Sequence, residues 1–214
     1  MDIGQAIRDR RSIRKFSDKK VSSLDIIKLI EAANNAPSAC NIQGWRFIVV
    51  TNHKILKKMV DKGAASFIAK APLGILVLYN TLTDNVEYHD YLQSAAACIQ
   101  NMLLTAHSIG LGACWVCHLP SKRELRKLFN VPHHYAPIAY VAIGHPEKVP
   151  RQLPRKKDAK SLVSINSFKF SEQVPLRFNV KLIIKRIARK VFYMLPFRKF
   201  IREKMDDMFE KRFD

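Results

Sequence analysis

From residue 86 to residue 108 the apolar positions Tyr91, Leu92, Ala95, Ala96, Ile99, Met102, Leu103 and Ala106 recur every three to four residues, which predicts one long helix ended by Ile109-Gly110. Small residues make up much of that stripe, so the helix is expected to pack closely against its neighbours. Four short apolar runs rich in β-forming residues surround it, at 45–50, 74–79, 113–116 and 136–143. The intervals between them are irregular, the chain has only seven glycines, and no GxGxxG follows a strand. That argues against a dinucleotide-binding Rossmann domain, whose glycine-rich turn must open a helix directly after a strand.

Shorter helices fill the remaining segments. Residues 2–9 read as one. Ser22-x-x-Asp25 forms a capping signal for a second that runs to about Asn34, with Ile26, Ile27, Leu29, Ile30 and Ala33 on its apolar face. Residues 53–63 have helical spacing, and Ser121-x-x-Glu124 is a capping box for another short helix. With 214 residues, 48% of them hydrophobic, the chain can bury one sizeable core. Residues 1–8 lack the basic and apolar regions of a signal peptide and no run reaches the length of a membrane span, so a cytoplasmic protein is expected. The cysteines at 40, 98, 114 and 117 are then expected as thiols.

Arg10-Arg11-Ser12-Ile13-Arg14 places three guanidinium groups and a hydroxyl within five residues. Arginine binds phosphate oxygens with planar, bidentate hydrogen bonds, so this run can receive a small, multiply charged anion such as a phosphorylated cofactor. A solvated basic stretch at a helix end is the plain alternative. A second motif, Pro37-Ser38-Ala39-Cys40-Asn41-Ile42-Gln43, follows about one helix later. It shifts the balance toward the cofactor.

RRSIRKF at 10–16, APSACNIQGWRF at 36–47, the long helix running into SIGLGACW at 108–115, and VAIGHP followed by PRK within 141–156 occur in an order that resembles the nitroreductase family of flavoproteins. The resemblance covers about residues 2–165. It implies an α+β fold, with a mainly antiparallel central sheet flanked by helices, and a homodimer with FMN in two sites at the subunit interface. By resemblance, Arg10, Arg11 and Ser12 hold the phosphate and ribityl end of FMN, and Arg14 lies near the pyrimidine edge. A cation there would stabilise the negative charge of reduced flavin. Pro37, Ser38, Ala39, Asn41 and Gln43 match the segment that the second subunit lays against the flavin. Val116 and Cys117 match backbone neighbours of its reactive N5, and Arg155 matches a further phosphate contact. The implied activity is transfer of electrons from NAD(P)H through flavin to a nitroaromatic, quinone or enone by a ping-pong mechanism. Reductive dehalogenation, oxygen-dependent flavin breakdown and a non-catalytic membrane-peripheral module remain alternatives.

The chain departs from the family pattern in places. Gly44 stands where relatives usually have proline, Ala64, Ala65 and Phe67 stand where many have a polar or basic residue, and Lys157-Asp158-Ala159-Lys160 replaces an acidic-proline segment. Cys114-Trp115-Val116-Cys117-His118 fits the CxxCH haem-attachment pattern, but covalent haem needs export and the motif lies in a GLGxCW context. Zinc held by Cys114, Cys117, His118, His133 and His134 is a weaker expectation than buried thiols on a strand, since no second CxxC accompanies the first. No metal site is therefore expected, and no Ser-His-Asp order, paired carboxylates or HExxH suggests protein-borne catalysis.

The formal net charge is +19, and residues 151–214 carry 18 Lys/Arg against 7 Asp/Glu. The chain accordingly divides into a flavin-binding domain at 1–165 and a basic, amphipathic helical tail at 166–214. From residue 173 to 202 there is no acidic residue. If 180–195 is helical, Val180, Ile183, Ile184, Ile187, Ala188, Val191, Met194 and Leu195 share one face and Lys181, Lys185, Arg186, Arg189 and Lys190 the other. Such a helix suits an anionic membrane, here through 177–202 at the inner face, and equally suits docking on the enzyme or its dimer partner. No specific nucleic-acid contact is expected, because no recognition motif accompanies the charge.

Overall fold

Strands that lack polar alternation need cover on both faces of their sheet, and the computed structural model has that cover. It describes residues 1–82, 85, 87–170, 180, 183, 184, 187, 188 and 191. In chain order come α1 (Ile3–Asp9), α2 (Ser23–Asn34), β1 (Trp45–Val50), α3 (His53–Asp61), β2 (Leu73–Asn80), α4 (Asp90–Ser108), β3 (Gly112–Val116), α5 (Lys122–Phe129) and β4 (Tyr135–Gly144). The four strands form one antiparallel sheet in the order β1-β2-β4-β3. Successive side chains of a strand leave by opposite faces. Ile75 and Val77 meet Leu29 and Ala33 of α2 and Ile99 and Met102 of α4. Leu76 and Leu78 meet Leu56 and Met59 of α3 and Leu125 of α5. Helices on both sides explain why β2 is buried from Leu73 through Tyr79.

Local signals set the helix starts. The side chains of Asp2, Ser22 and Ser121 accept the backbone N–H of Gln5, Asp25 and Glu124, each satisfying one of the donors left unpaired at a helix N-terminus. Helix α4 begins four residues later than its periodicity suggests. His89, at φ 48°, adopts a left-handed conformation that stops helical backbone from extending further toward the N-terminus. Leu92 in the first turn is 39% exposed, so the buried stripe starts at Ser94 and Ala95 rather than at Leu92. In the interior strand β4, Pro137 sits where the register against β2 shifts, with Val77 opposite Ala139 and Leu78 opposite Pro137. Proline has no N–H to give to the ladder, and a bulge is where an interior strand tolerates it.

The chain divides into two compact units, Met1–Pro150 and Arg151–Asp214. All the elements above lie in the first. In the second, a short 3-10 turn spans Lys160–Leu162, and the Asp158 carboxylate accepts the Ser161 N–H at 2.7 Å. Residues 180, 183, 184, 187, 188 and 191 are helical. The expectations for Met194, Leu195 and the cations between Arg177 and Arg202 lie outside the described residues. Among the described residues no helix is long and apolar enough to cross a membrane.

Candidate functional site

Helix α1 ends at Arg10, whose backbone turns extended (φ −56°, ψ 131°), and the chain then runs beside β3. Ser12 forms a parallel bridge with Ala113, and the Ile13 N–H donates to the Ala113 carbonyl at 3.1 Å. This close approach requires Gly112. A Cβ there would lie 2.8 Å from three atoms of Ile13, whose side chain is 4% exposed. Arg10, Arg11, Ser12 and Arg14 remain half-buried along the strip. Arg11 donates to the carbonyls of Arg8 (2.7 Å) and Arg10 (2.9 Å), which holds its guanidinium near the helix end.

The thiol of Cys114 reports how these charges gather. Burial pushes it up to about 11, while the guanidiniums of Arg14 and Arg10 and the Ser12 hydroxyl favour the thiolate. The strip's backbone contact with β3 is made at the neighbouring Ala113. Val116, buried, ends β3, and Cys117, exposed, follows it. The Ser12–Ala113 bridge thus sets the Arg10–Arg14 run beside β3.

A cavity of about 270 Å³ lies where the strip meets the end of α4 and the start of β3, lined among others by Arg10, Arg11, His107, Gly110 and Gly112. The Nε2 of His107 is buried and has no hydrogen-bond partner among the described residues. An orphaned buried nitrogen of this kind costs free energy unless a ligand or water meets it. Arg10 and Arg11 bring two cations to this lining and Asp9 one carboxylate, while His107 borders it with its Nε2 enclosed by protein. Nothing in the sequence singled out His107, because its only local mark is its place in the last turn of α4.

The second motif is held in an unusual backbone. Cys40, Asn41 and Gln43 all have positive φ (48°, 55° and 50°), a left-handed conformation uncommon for residues other than glycine. The Ser94 hydroxyl of α4, 3% exposed, accepts the Ala39 N–H at 3.1 Å and donates to the Asp90 carbonyl at 2.9 Å. Ser38 Oγ accepts the Gln43 N–H at 3.0 Å, and Gln43 Nε2 donates to Asn41 Oδ1 at 2.7 Å. These bonds hold the turn against its strain, while Pro37, Asn41 and Gln43 stay exposed. Ser94 was not expected as a site residue. Its signal was a hydroxyl inside a stripe of apolar residues.

The departures at Gly44 and at the loop before β2 now have physical reasons. A Cβ at Gly44 would lie 2.7 Å from the ring of buried Tyr79, which packs edge-on against Trp45, so proline does not fit over this aromatic pair. Ala64, Ala65 and Phe67 are buried in the core cluster of α3 and α5, where a charged side chain would lose its hydration.

The two motifs sit at opposite ends of α4 within one chain. Ser94 holds the 37–43 turn near the helix start, and His107 borders the arginine cavity near its end. Thirteen residues of helix put them about 20 Å apart. Arg155 belongs to the second unit and is exposed. As for metals, no group of three or more His, Cys, Asp or Glu among the described residues could hold an ion, and Cys114 is buried while Cys117 is exposed.

Comparison with known proteins accords with this geometry. Residues 7–145 match the model of the nitroreductase family. A protein of Methanothermobacter thermautotrophicus, provisionally named an NADH dehydrogenase/NAD(P)H nitroreductase, is 36% identical over 154 residues, covering 70% of this chain and 80% of the relative. The crystal structure of a provisionally named NADH oxidase from Clostridium acetobutylicum superposes with a TM-score of 0.67 at 32% identity, covering 76% of this chain and 99% of the other. An FMN-dependent nitroreductase from Clostridium difficile R20291 superposes with a TM-score of 0.68 at 26% identity, over 76% and 98%. Motif order, fold and these likenesses converge: the chain belongs to the nitroreductase family of flavin-dependent NAD(P)H oxidoreductases.

Proposed function

We propose that this protein is an FMN enzyme that takes electrons from NAD(P)H and passes them to a small acceptor of the nitroaromatic, quinone or enone type. The observation that carries the reading is the arginine strip locked onto β3 through Gly112, beside a cavity that Arg10 and Arg11 help to line. When bound, FMN supplies the redox chemistry, alternately accepting a hydride equivalent and giving up electrons. The protein's part is to bind, orient and balance charge. Arg10, Arg11 and Ser12 would receive the phosphate and ribityl end of FMN, and Arg14 would supply a permanent cation to balance the negative charge of the reduced form. Val116 and Cys117 would bring the backbone at the end of β3 toward its reactive edge, and the family resemblance adds Arg155 as a candidate phosphate ligand.

The site is proposed to need two copies of the chain. The separation of about 20 Å between the two motifs along α4 supports a pairing in which Pro37, Ser38, Ala39, Asn41 and Gln43 of one protomer cover the flavin held by the strip of the other. The hydrogen-bonded turn at 40–43, with left-handed backbone at Cys40, Asn41 and Gln43, suits that use, since a preorganised contact loses little entropy when the flavin binds.

Purification without added cofactor tests the reading. A yellow dimer whose flavin is bleached by NAD(P)H without oxygen and recoloured by a quinone is expected. Colourless protein that refuses FMN on titration sinks it. Arg14→Ala should shift the flavin potential more than it weakens FMN binding, and Arg10→Ala the reverse; equal effects would undo the division of roles.

A further inference from the structure

The six described helical residues of the second unit are Val180, Ile183, Ile184, Ile187, Ala188 and Val191. Their spacing of 0, 3, 4, 7, 8 and 11 positions confines them to an arc of about 140° on a helix that turns 100° per residue. A surface helix ordinarily turns such a stripe toward a core. Here every member is exposed, with Val180 at 62%, Ile183 at 45%, Ile184 at 58%, Ile187 at 56% and Val191 at 50%. Five branched apolar side chains in water on one helix call for a partner.

The charge of the segment selects it. In the sequence, Lys181, Lys185, Arg186, Arg189 and Lys190 occupy positions between the apolar ones, and no Asp or Glu occurs from 173 to 202. A second copy of this chain would bring the same positive charge to the contact, and two such segments repel. An anionic bilayer supplies both complements: hydrocarbon for the stripe and negative headgroups for the cations. Among the described residues no helix is long and apolar enough to cross a membrane, and an apolar stripe set among cations suits the bilayer interface.

We propose that this helix seats the protein on an anionic lipid surface, with the Val180–Val191 stripe entering the acyl boundary. The inference is independent of the flavin chemistry.

The test is flotation of the nuclease-treated, full-length protein with vesicles of neutral phosphatidylcholine or of phosphatidylcholine containing about one third phosphatidylglycerol, with light scattering on the same samples. At low salt, at least about tenfold more protein should float with the anionic vesicles, since each cation near such a surface contributes several-fold. Ile184→Ser combined with Ile187→Ser should lower that binding about tenfold while the oligomeric state and flavin content stay unchanged. No flotation of the unaltered protein overturns the proposal. So does equal flotation of the double variant, which would mean adsorption by charge alone. A double variant that dissociates the oligomer also overturns it, because the stripe would then belong to a contact between copies.

Discussion

Gly112→Ala puts the arginine strip under direct strain. The new Cβ would lie 2.8 Å from Cβ, Cγ1 and Cγ2 of Ile13, against a comfortable carbon–carbon separation of about 3.5–4.0 Å. Two of those atoms leave the Ile13 Cβ itself, so no rotamer clears all three. The Ile13 backbone must retreat by roughly 0.7–1.2 Å, which stretches the 3.1 Å bond from its N–H to Ala113. Overpacking of this kind costs about 1–3 kcal/mol. The lower chain entropy of alanine in the unfolded state returns about 0.4–1 kcal/mol. A net loss of about 1–2 kcal/mol is expected in the urea midpoint. Arg10, Arg11 and Ser12 move with Ile13, so FMN affinity should fall at least about tenfold, equivalent to 1.4 kcal/mol, when measured by quenching of flavin fluorescence. Gly74→Ala is the control. Its Cβ would run into the Tyr140 phenol in the core, so stability should drop by at least as much while the folded fraction binds FMN normally. If Gly112→Ala loses stability yet binds FMN with unchanged affinity, the strip is not the flavin's receptor and the reasoning fails.

Ser94→Ala orphans the half-buried Ala39 N–H and should cost about 1–2 kcal/mol. It should also raise the FMN dissociation constant several-fold, and unchanged binding would separate the 37–43 turn from the flavin. His107→Leu removes the unpartnered nitrogen beside the cavity. It should weaken FMN more than riboflavin in titrations, and equal loss for both ligands would show that the imidazole does not meet phosphate. Gly44→Pro, which approaches the usual family residue, should destabilise by about 1–3 kcal/mol through its clash with Tyr79; a stability gain on thermal melting would refute that packing argument. Burial pushes Cys98 up to about 12 and Cys114 to about 11, from an ordinary 9.0. Because the folded values are raised, the unfolded chain loses these protons first. Urea midpoints should then be level below about pH 9 and fall toward pH 11–12, by up to about 1.4 kcal/mol per pH unit for each thiol. A level profile to pH 11 would show that neither thiol is shielded as described.

Much of the secondary structure was legible because its causes are local. Ser22 and Ser121 cap the helices they precede, β1 spans the expected run, and Gly110 at φ 79° follows the end of α4. The start of α4 was misread because apolar spacing does not register the left-handed His89 that halts the helix. In the candidate site, the arginine strip and the 110–117 strand were legible as motifs. The residues that hold or complete them were not. Ser94 and His107 gain their meaning from what faces them, 55 positions away in the case of the Ser94–Ala39 bond.

By itself the sequence determined the chain's local grammar: where helices begin, which runs become strands, where cationic donors cluster, and that residues 151–214 carry more than half of its excess charge. Propensity, capping and composition act over a few residues, so they can be read from a few residues. Only the tertiary structure decided the order β1-β2-β4-β3, the fit of Gly112 against Ile13 and of Gly44 against Tyr79, and the separation of the two motifs along α4. Those facts depend on close packing between segments distant in the chain, where a single methyl group decides whether two backbones can meet.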